Sequence, residues 1–233
     1  MGNSKVGNNI TGWIIVDKPA GMTSTAVVNK IKWACEAKKA GHAGTLDPSA
    51  TGILAIALGE ATKTIPYVTN RPKSYIFEVK WGEATDTDDS EGKIIHESPM
   101  RPSEKDILAA IPLFRGEIEQ TPPTFSAVKI NGKRAYALAR KGHDFDIAPR
   151  SLLVSSLRLE KYISNNNAIL ALECGKGGYV RAIARDLGLK LGCYGHVTWL
   201  RRISSGSFTL PMASSLDELL KVGKSPEIFN FIY

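Results

Sequence analysis

One carboxylate stands in a glycine-rich stretch in the first quarter of the chain. Residues 41–52 read GHAGTLDPSATG, so Asp47 lies among three glycines, and an uninterrupted apolar run follows at residues 53–58. Glycines and Asp-Pro pairs form turns, and a turn that precedes a strand is the simpler interpretation. The other interpretation is that the loop presents Asp47 as a reactive group on a rigid base.

A second glycine-rich stretch, CGKGGYVR at residues 174–181, joins an apolar run to a helical pattern. Backbone N–H groups at the start of a helix attract anions, so phosphate binding is one interpretation and a plain tight turn is the other. Arg181 would lie in the first turn of this helix, where the helix dipole disfavours a cation. A cation in that position indicates a specific carboxylate or phosphate partner.

Basic residues crowd into one segment in the middle of the chain. An Asn-Gly pair at residues 131–132 predicts a tight hairpin, and residues 135–141 predict a short helix after it. Charge runs are most often solvated faces, but a hairpin followed by a helix would project this one as a flap that can clamp a phosphate backbone. The candidate phosphate-binding residues of the flap are Lys129, Lys133, Arg134, Arg140 and Lys141.

Other chemistries find little support in the residue pattern. Residues 86–97 begin like a calcium-binding loop, but Glu91 occupies the sixth position, where the sharp turn needs glycine, so an acidic turn between strands is favoured. The three cysteines have no CxxC spacing and the four histidines are scattered, which argues against a disulfide framework or a metal site.

Composition sets the broad class of the protein. With 233 residues, 43% of them hydrophobic and 23% charged, the chain is long enough for one sizeable core. The net charge of +7 favours a polyanionic partner, either nucleic acid or an anionic membrane surface. No run approaches membrane-spanning length and no apolar leader opens the sequence, so we expect a cytoplasmic protein.

The elements that must position these residues follow from hydrophobic periodicity. Strands are predicted at residues 13–16, 53–58, 75–81, 152–162, 168–174 and 197–203, and helices at 103–111, 135–141 and 179–191. A further helix is predicted with Thr23, Ser24 or Thr25 as its N-cap, with Lys38 and Lys39 at its C-terminal end, and with Gly41 as the residue that stops it. Because strands and helices mix without strict alternation, we expect an α+β fold with a mixed, largely antiparallel sheet flanked by helices.

Several ordered motifs, spread over most of the chain, are together highly specific. They are DKPAGM at residues 17–22, GHAGTLDP at 41–48 with ATG at 50–52, GEATK at 59–63, TDTD at 85–88, PPTFSAVK at 122–129, GYVR at 178–181 and LRR at 200–202. Through them the chain resembles the TruB family of tRNA pseudouridine-55 synthases. Two positions depart from the family pattern, with Phe125 where tyrosine is usual and Ala43 where threonine is common.

The resemblance implies the isomerisation of one uridine, position 55 in the TΨC stem-loop of tRNA. Members of the family flip this uridine out of its stack, detach uracil from ribose, rotate the base and rejoin it through carbon, and they need no cofactor and no metal. The resemblance assigns the nucleophile to Asp47 and its guanidinium partner to Arg181. Whether the carboxylate attacks the sugar or the base, or promotes a glycal route, is left open by the sequence.

The same resemblance implies substrate-binding roles for several further residues. Tyr75 would stack on the flipped uracil, although its place in a predicted strand also suits a core aromatic. His42 would fill the gap that the extruded base leaves. Tyr179 and Leu200 would line the base pocket, and Lys18 belongs to a family motif in which a structural role is the alternative to a binding one.

One pseudouridine-synthase domain is expected over residues 1–233, with an RNA-binding flap at about 120–150 and a C-terminal tail at 211–233. Many relatives carry a PUA-like RNA-binding domain after the LRR motif, and none is expected here, because only about thirty residues follow Arg202. The expected partner is the T stem-loop of tRNA, bound by a monomer that needs no membrane and no obligate protein partner.

Two other functions are compatible with the basic surface. One is a tRNA-folding chaperone that binds without catalysis, which the presence of Asp47, Tyr75 and Arg181 together argues against. The other is a pseudouridine synthase that acts on a different RNA.

Overall fold

A computed structural model describes most of the chain. The described residues are 10–223, Ser225, Ile228 and Tyr233. Residues 1–9 and most of the expected tail after residue 223 lie outside them. Within the described part of the chain, no helix combines the length and the hydrophobicity that are needed to cross a membrane.

The chain divides into two compact units. The first comprises the residues up to 74 and from 201 onward, and the second comprises residues 75–200. The strands in the described part are β1 (Gly12–Lys18), β2 (Ala40–His42), β3 (Thr51–Leu58), β4 (Lys73–Trp81), β5 (Glu83–Thr85), β6 (Ile94–Glu97), β7 (Gly116–Gln120), β8 (Lys129–Ile130), β9 (Lys133–Arg134), β10 (Arg150–Ser164), β11 (Asn167–Cys174), β12 (Gly195–Ser205), β13 (Phe208–Thr209) and β14 (Ser214–Ser215). The α-helices there are α1 (Ser24–Ala34), α2 (Ile65–Thr69), α3 (Glu104–Ala110), α4 (Ala135–Ala139), α5 (Val180–Lys190) and α6 (Leu216–Val222).

Strand β3 is the centre of the first unit. On one edge it pairs antiparallel with β1 along residues 52–58. Its other edge is shared, because β2 pairs antiparallel with residues 56–58 and residues 201–202 of β12 pair parallel with residues 51–52. Both faces of β3 are buried, which explains why its sequence is a continuous apolar run rather than an alternating one.

Helices α1 and α6 supply the apolar side chains that cover one face of this unit. Val27 and Ile31 of α1 and Leu219 of α6 belong to the same buried cluster as Leu54 and Ile56 of β3. The helical spacing of the apolar residues in α1 therefore reflects its contact with the sheet.

Helix α1 begins where the sequence predicts but ends earlier. Thr23 is its N-cap, and the Thr23 side chain accepts a backbone N–H of the first turn. The expectation that the helix extends toward Gly41 is wrong, because the helix ends at Ala34 and Glu36 adopts a left-handed φ of 50°. Gly41 lies in β2 instead, where pairing with the edge of β3 outweighs the local helical pattern.

In the second unit the strand order is β4–β11–β10–β7. Strands β11 and β7 both pair antiparallel with β10. Strand β4 alternates between buried and half-buried residues, so Tyr75, Phe77, Val79 and Trp81 share its buried face. The prediction of an α+β fold with a mixed, mostly antiparallel sheet flanked by helices is confirmed.

The basic flap has the predicted hairpin and helix. Strands β8 and β9 pair around Asn131 and Gly132, whose φ values of 47° and 81° are those that an Asn-Gly hairpin turn requires. Helix α4 follows directly and ends at Ala139 rather than at the predicted Lys141.

Gly52 allows the close approach of β3 and β12. Its φ is +99°, and a Cβ at this position would lie 2.1 Å from the carbonyl oxygen of Arg202.

Gly52→Ala should therefore lower the free energy of unfolding by more than the roughly 1–2 kcal/mol that left-handed strain alone costs. Gly21→Ala is the control, since Gly21 has a φ of +81° but nothing within 4 Å of its Cβ position. Urea denaturation measures both losses, and equal values would show that the close approach is unimportant.

Candidate active site

The loop between β2 and β3 carries Asp47, which is half-buried. The N–H of Ala50 donates to the backbone carbonyl of Asp47 at 3.1 Å, so the turn that the Asp-Pro pair predicts is present. The loop then enters β3, the buried central strand of the first unit. A turn and a rigid support are both present, so the two interpretations of this stretch do not exclude each other.

Lys18 fixes the loop directly after Asp47. It is completely buried at the end of β1, and its Nζ donates to the carbonyls of Pro19 and Met22, each at 2.7 Å, and to that of Pro48 at 3.0 Å. A buried ammonium group needs such acceptors, because burial removes its hydration. This geometry agrees with the structural role considered for Lys18.

Ser24 fixes the loop directly before Asp47. It is the first residue of α1 and is buried, and its hydroxyl accepts the N–H of Leu46 at 2.8 Å and donates to the Leu46 carbonyl at 2.9 Å. The sequence suggested Ser24 only as a possible helix cap, but Thr23 has that role. The backbone on both sides of the carboxylate is therefore held by buried side chains.

His42 is the last residue of β2 and is half-buried. Burial lowers the pKa of its imidazole below the usual 6.5, and the positive charge of Arg202 lowers it further, against a smaller opposing effect of the Gly44 backbone. The lowered pKa favours the neutral form of the ring at pH 7.

In the second unit, Arg181 is the second residue of α5 and is buried. Its guanidinium donates to the carbonyls of Thr87 at 2.8 Å and Phe125 at 3.1 Å. Its Nε lies 3.6 Å from Oδ2 of Asp89. The position of Arg181 in the first helical turn indicates a carboxylate or phosphate partner, and the Asp89 carboxylate is such a partner.

Asp89 belongs to the acidic turn for which the sequence suggested no role. Its Oδ1 accepts the hydroxyl of Thr87 at 2.6 Å and the N–H of Glu91 at 3.0 Å, which orients the carboxylate beside Arg181. The sequence signal for this contact was a run of aspartates that needed a basic partner elsewhere. Among the described residues, no group of three or more His, Cys, Asp or Glu is arranged to hold a metal ion.

One helical turn after Arg181, Arg185 binds the neighbouring aspartate of the same turn. Its Nη1 lies 2.9 Å from Oδ2 of Asp88, and its Nη2 donates to the carbonyl of Thr121 at 2.8 Å. Burial raises the pKa of Asp88 to about 6, which outweighs the lowering by Arg185 and Arg181. Two arginines of α5 therefore connect the acidic turn to residues 121–125, at the start of the flap.

The other predicted residues of the second unit are Tyr75, Tyr179 and Leu200. Tyr179 precedes α5, and its backbone N–H and carbonyl pair with the side-chain amide of Gln120 at 2.9 and 3.2 Å. Tyr75 is 7% exposed on β4, as a core aromatic would be, and Leu200 is half-buried in β12. The predicted catalytic and pocket residues thus fall into two sets, with Lys18, His42 and Asp47 in the first unit and Tyr75, Tyr179, Arg181 and Leu200 in the second.

All five candidate phosphate-binding residues of the flap are exposed. Arg140 lies over the ring of Tyr136, 5.7 Å from its centroid, and Arg134 donates to the carbonyl of Ala127. The hairpin and the helix therefore present a positively charged surface to solvent.

Comparisons with known proteins cover most of the chain. Residues 32–180 match the N-terminal domain model of the TruB family pseudouridylate synthases, and residues 181–225 match the model of the tRNA pseudouridylate synthase B C-terminal domain. A protein of Roseobacter denitrificans named tRNA pseudouridine synthase B is 56% identical over 98% of this chain and 75% of its own length. A protein of the same name from Ruegeria pomeroyi is 55% identical over 100% of this chain and 77% of its own length.

Solved structures give the same picture for the fold. A chain from the structure of a Cbf5-Nop10-Gar1 complex matches with a TM-score of 0.71 and 29% identity over 90% of this chain. A chain from the archaeal box H/ACA sRNP Nop10-Cbf5 complex matches with a TM-score of 0.70 and 26% identity over 95% of this chain. This chain spans 54% and 57% of the length of those two chains.

The raised pKa of Asp88 predicts how stability depends on pH. In the folded state this carboxyl group holds a proton up to about pH 6, whereas its unfolded value is near 3.8. The contribution of Asp88 to the free energy of unfolding is therefore present at low pH and is lost as the pH rises from about 4 to 6. Urea denaturation of the wild type and Asp88→Asn over this range measures it. The wild type should lose stability relative to the variant, and parallel curves would contradict the raised pKa.

Proposed function

The chain belongs to the TruB family of pseudouridylate synthases, and from this membership we propose that it converts uridine 55 in the T stem-loop of tRNA into pseudouridine. The observation that carries the proposal is the 56% identity, over 98% of the chain, to a relative named tRNA pseudouridine synthase B. The reaction breaks the bond from ribose C1′ to uracil N1 and joins C1′ to C5. The proton on C5 is lost and N1 gains one, so the step balances without an oxidant, a reductant or a cofactor.

Asp47 is the proposed nucleophile. An ionised carboxylate can attack carbon or stabilise positive charge on the sugar while the glycosidic bond breaks. Either role requires a fixed distance and angle between the carboxylate and the nucleotide. The hydrogen bonds of Lys18 to Pro48 and of Ser24 to Leu46, which hold both neighbours of Asp47, support this assignment.

Base flipping gives the other residues their proposed roles. Removing a base from its stack costs a few kcal/mol, and a side chain that enters the gap recovers part of that cost. His42 is proposed to fill the gap as a neutral ring. Tyr75, Tyr179 and Leu200 are proposed to contact the flipped uracil, and Arg181, whose guanidinium is oriented next to Asp89, is proposed to bind substrate.

We further propose that the protein acts in the cytoplasm as a monomer without an obligate protein partner. Its three cysteines, Cys35, Cys174 and Cys193, are free and buried, which suits a reducing compartment. Its net charge of +7 and the exposed basic flap suit direct contact with a polyanion such as tRNA.

Asp47→Asn tests the nucleophile. The substitution keeps the size of the side chain but removes the charge, so turnover should fall by on the order of 10³-fold or more, while tRNA affinity is roughly unchanged because phosphate contacts supply it. Pseudouridine is measured by mass spectrometry of nucleosides after chemical labelling of unmodified tRNA. Asp217→Asn, at an exposed aspartate of α6 in the same unit, is the matched control and should behave as wild type.

The same assay separates the alternative functions. Wild-type protein that binds tRNA without forming pseudouridine would favour the chaperone. Pseudouridine formed only outside the T stem-loop would favour another RNA target. Full turnover by Asp47→Asn would remove the nucleophile assignment while leaving the activity itself intact.

The flap predicts a steep dependence of tRNA affinity on salt. Each phosphate contact adds about 0.7–0.9 to the slope of log affinity against log salt concentration. The combined substitution of Lys129, Lys133 and Lys141 by alanine should lower both the affinity and this slope. Removal of three other exposed lysines of the second unit, Lys93, Lys105 and Lys161, controls for net charge. Filter binding at several salt concentrations measures the slope, and an equal effect of the two triple variants would count against the flap.

A further inference from the structure

Arg202 is a buried cation for which the proposed reaction has no role so far. It lies in β12, it is only 1% exposed, and it is among the largest fully buried side chains of the described chain. A guanidinium keeps its charge under all ordinary conditions and carries five N–H donors in a rigid plane. Burying such a group is costly unless those donors find acceptors.

Arg202 donates to backbone carbonyls of the Asp47 loop and of β3, the strand that follows it. Its Nε donates to Ile53 at 2.7 Å, its Nη2 to Gly44 at 3.1 Å and its Nη1 to Thr45 at 3.4 Å. Two of these carbonyls precede the carboxylate in sequence and one follows it. A single side chain therefore joins the two ends of the segment that carries Asp47.

The strand pairing next to this contact fixes the backbone position from which the Arg202 side chain extends. Arg202 pairs with Gly52 across the parallel contact of β12 with β3, and the missing Cβ of Gly52 lets the two backbones approach. The guanidinium thus extends from a fixed backbone position in the core. The carbonyls that it binds differ from those held by Lys18 and Ser24, so its contribution is a separate one.

We propose that Arg202 is a positioning residue, which holds the Asp47 loop in its reactive geometry by binding the backbone on both sides of the carboxylate. The inference rests on the proposed function, because the geometry that it fixes is that of the proposed nucleophile. Its charge also acts on His42, whose pKa it lowers. Geometry and charge are therefore two separable effects of the same side chain.

Two substitutions separate these effects. Arg202→Lys keeps the charge but replaces the planar fork by one nitrogen, and Arg202→Met removes both. Single-turnover rates at saturating tRNA should fall by at least about tenfold in both variants, since small misplacements of reacting groups are costly, while the tRNA dissociation constant changes little. The His42 pKa, measured by NMR titration, should stay low in Arg202→Lys and rise toward the usual value in Arg202→Met.

Arg115→Met controls for the loss of a guanidinium–carbonyl contact elsewhere in the chain. The Arg115 guanidinium also donates twice to a backbone carbonyl, that of Leu157, at 2.7 and 3.0 Å, but both residues belong to the second unit. This variant should keep the wild-type rate. A folded Arg202→Lys or Arg202→Met with the wild-type rate would overturn the inference.

A measurement without RNA keeps the inference independent of the proposed function. The N–H of Ala50 donates to the Asp47 carbonyl, so its hydrogen exchange reports the order of the loop. Exchange should be at least about tenfold faster in Arg202→Lys than in the wild type, and unchanged exchange would overturn the positioning role even if Arg202→Met does not fold. Wild-type protein that forms no pseudouridine would defeat the proposed function alone, because the exchange result still decides how Arg202 acts on the loop.

Discussion

A buried cation must find acceptors, and in the first unit two buried cations, Lys18 and Arg202, both donate to carbonyls next to Asp47. Lys18 and Arg202 together donate to four backbone carbonyls on either side of Asp47, and Lys18 also donates to those of Pro19 and Met22. The loop has little secondary structure of its own, so these bonds take the place of a helix or a ladder. Strands β1 and β12 carry the two cations, and β3 holds the end of the loop. The packing of these strands therefore also fixes the position of the carboxylate.

In the second unit, arginines likewise bind acceptors from other segments of the chain. These acceptors include both backbone carbonyls and side-chain carboxylates. Helix α5 carries arginines four residues apart, which bind carbonyls of two segments and carboxylates of the acidic turn. This arrangement has an energetic cost at Asp88, because burial raises the pKa of its carboxyl group more than the two guanidinium groups lower it. Arg181 is held from several directions and has a defined orientation before any substrate arrives.

Local patterns in the sequence predicted the elements that depend on local physics. The continuous apolar run of β3, the alternation of β4, the Thr23 cap and the Asn131–Gly132 turn all follow from residue type and spacing. The end of α1 did not, because the strand β2 forms only where the edge of β3 is available to pair with it. A short strand that forms only by pairing with another strand, as β2 does, has no periodic hydrophobic pattern of its own.

Around the candidate site, the turn that carries Asp47 and a carboxylate partner for Arg181 could be predicted from the sequence. The supporting contacts could not. Ser24 looks like a helix cap, and Asp89 looks like one acidic residue among several, until the fold places each beside its partner. Serine and aspartate have many uses, so only tertiary contact selects one of them.

The neutral state of His42 has a consequence for recognition on the proposed function. A neutral ring that enters a nucleic acid helix displaces no counterions, whereas the exposed lysines of the flap displace several. Rising ionic strength therefore weakens the flap contacts, which any phosphate backbone can make. It does not weaken the fit of the His42 ring into the position that the flipped base has left. Discrimination between the correct site and other RNA should accordingly improve with salt while total affinity declines.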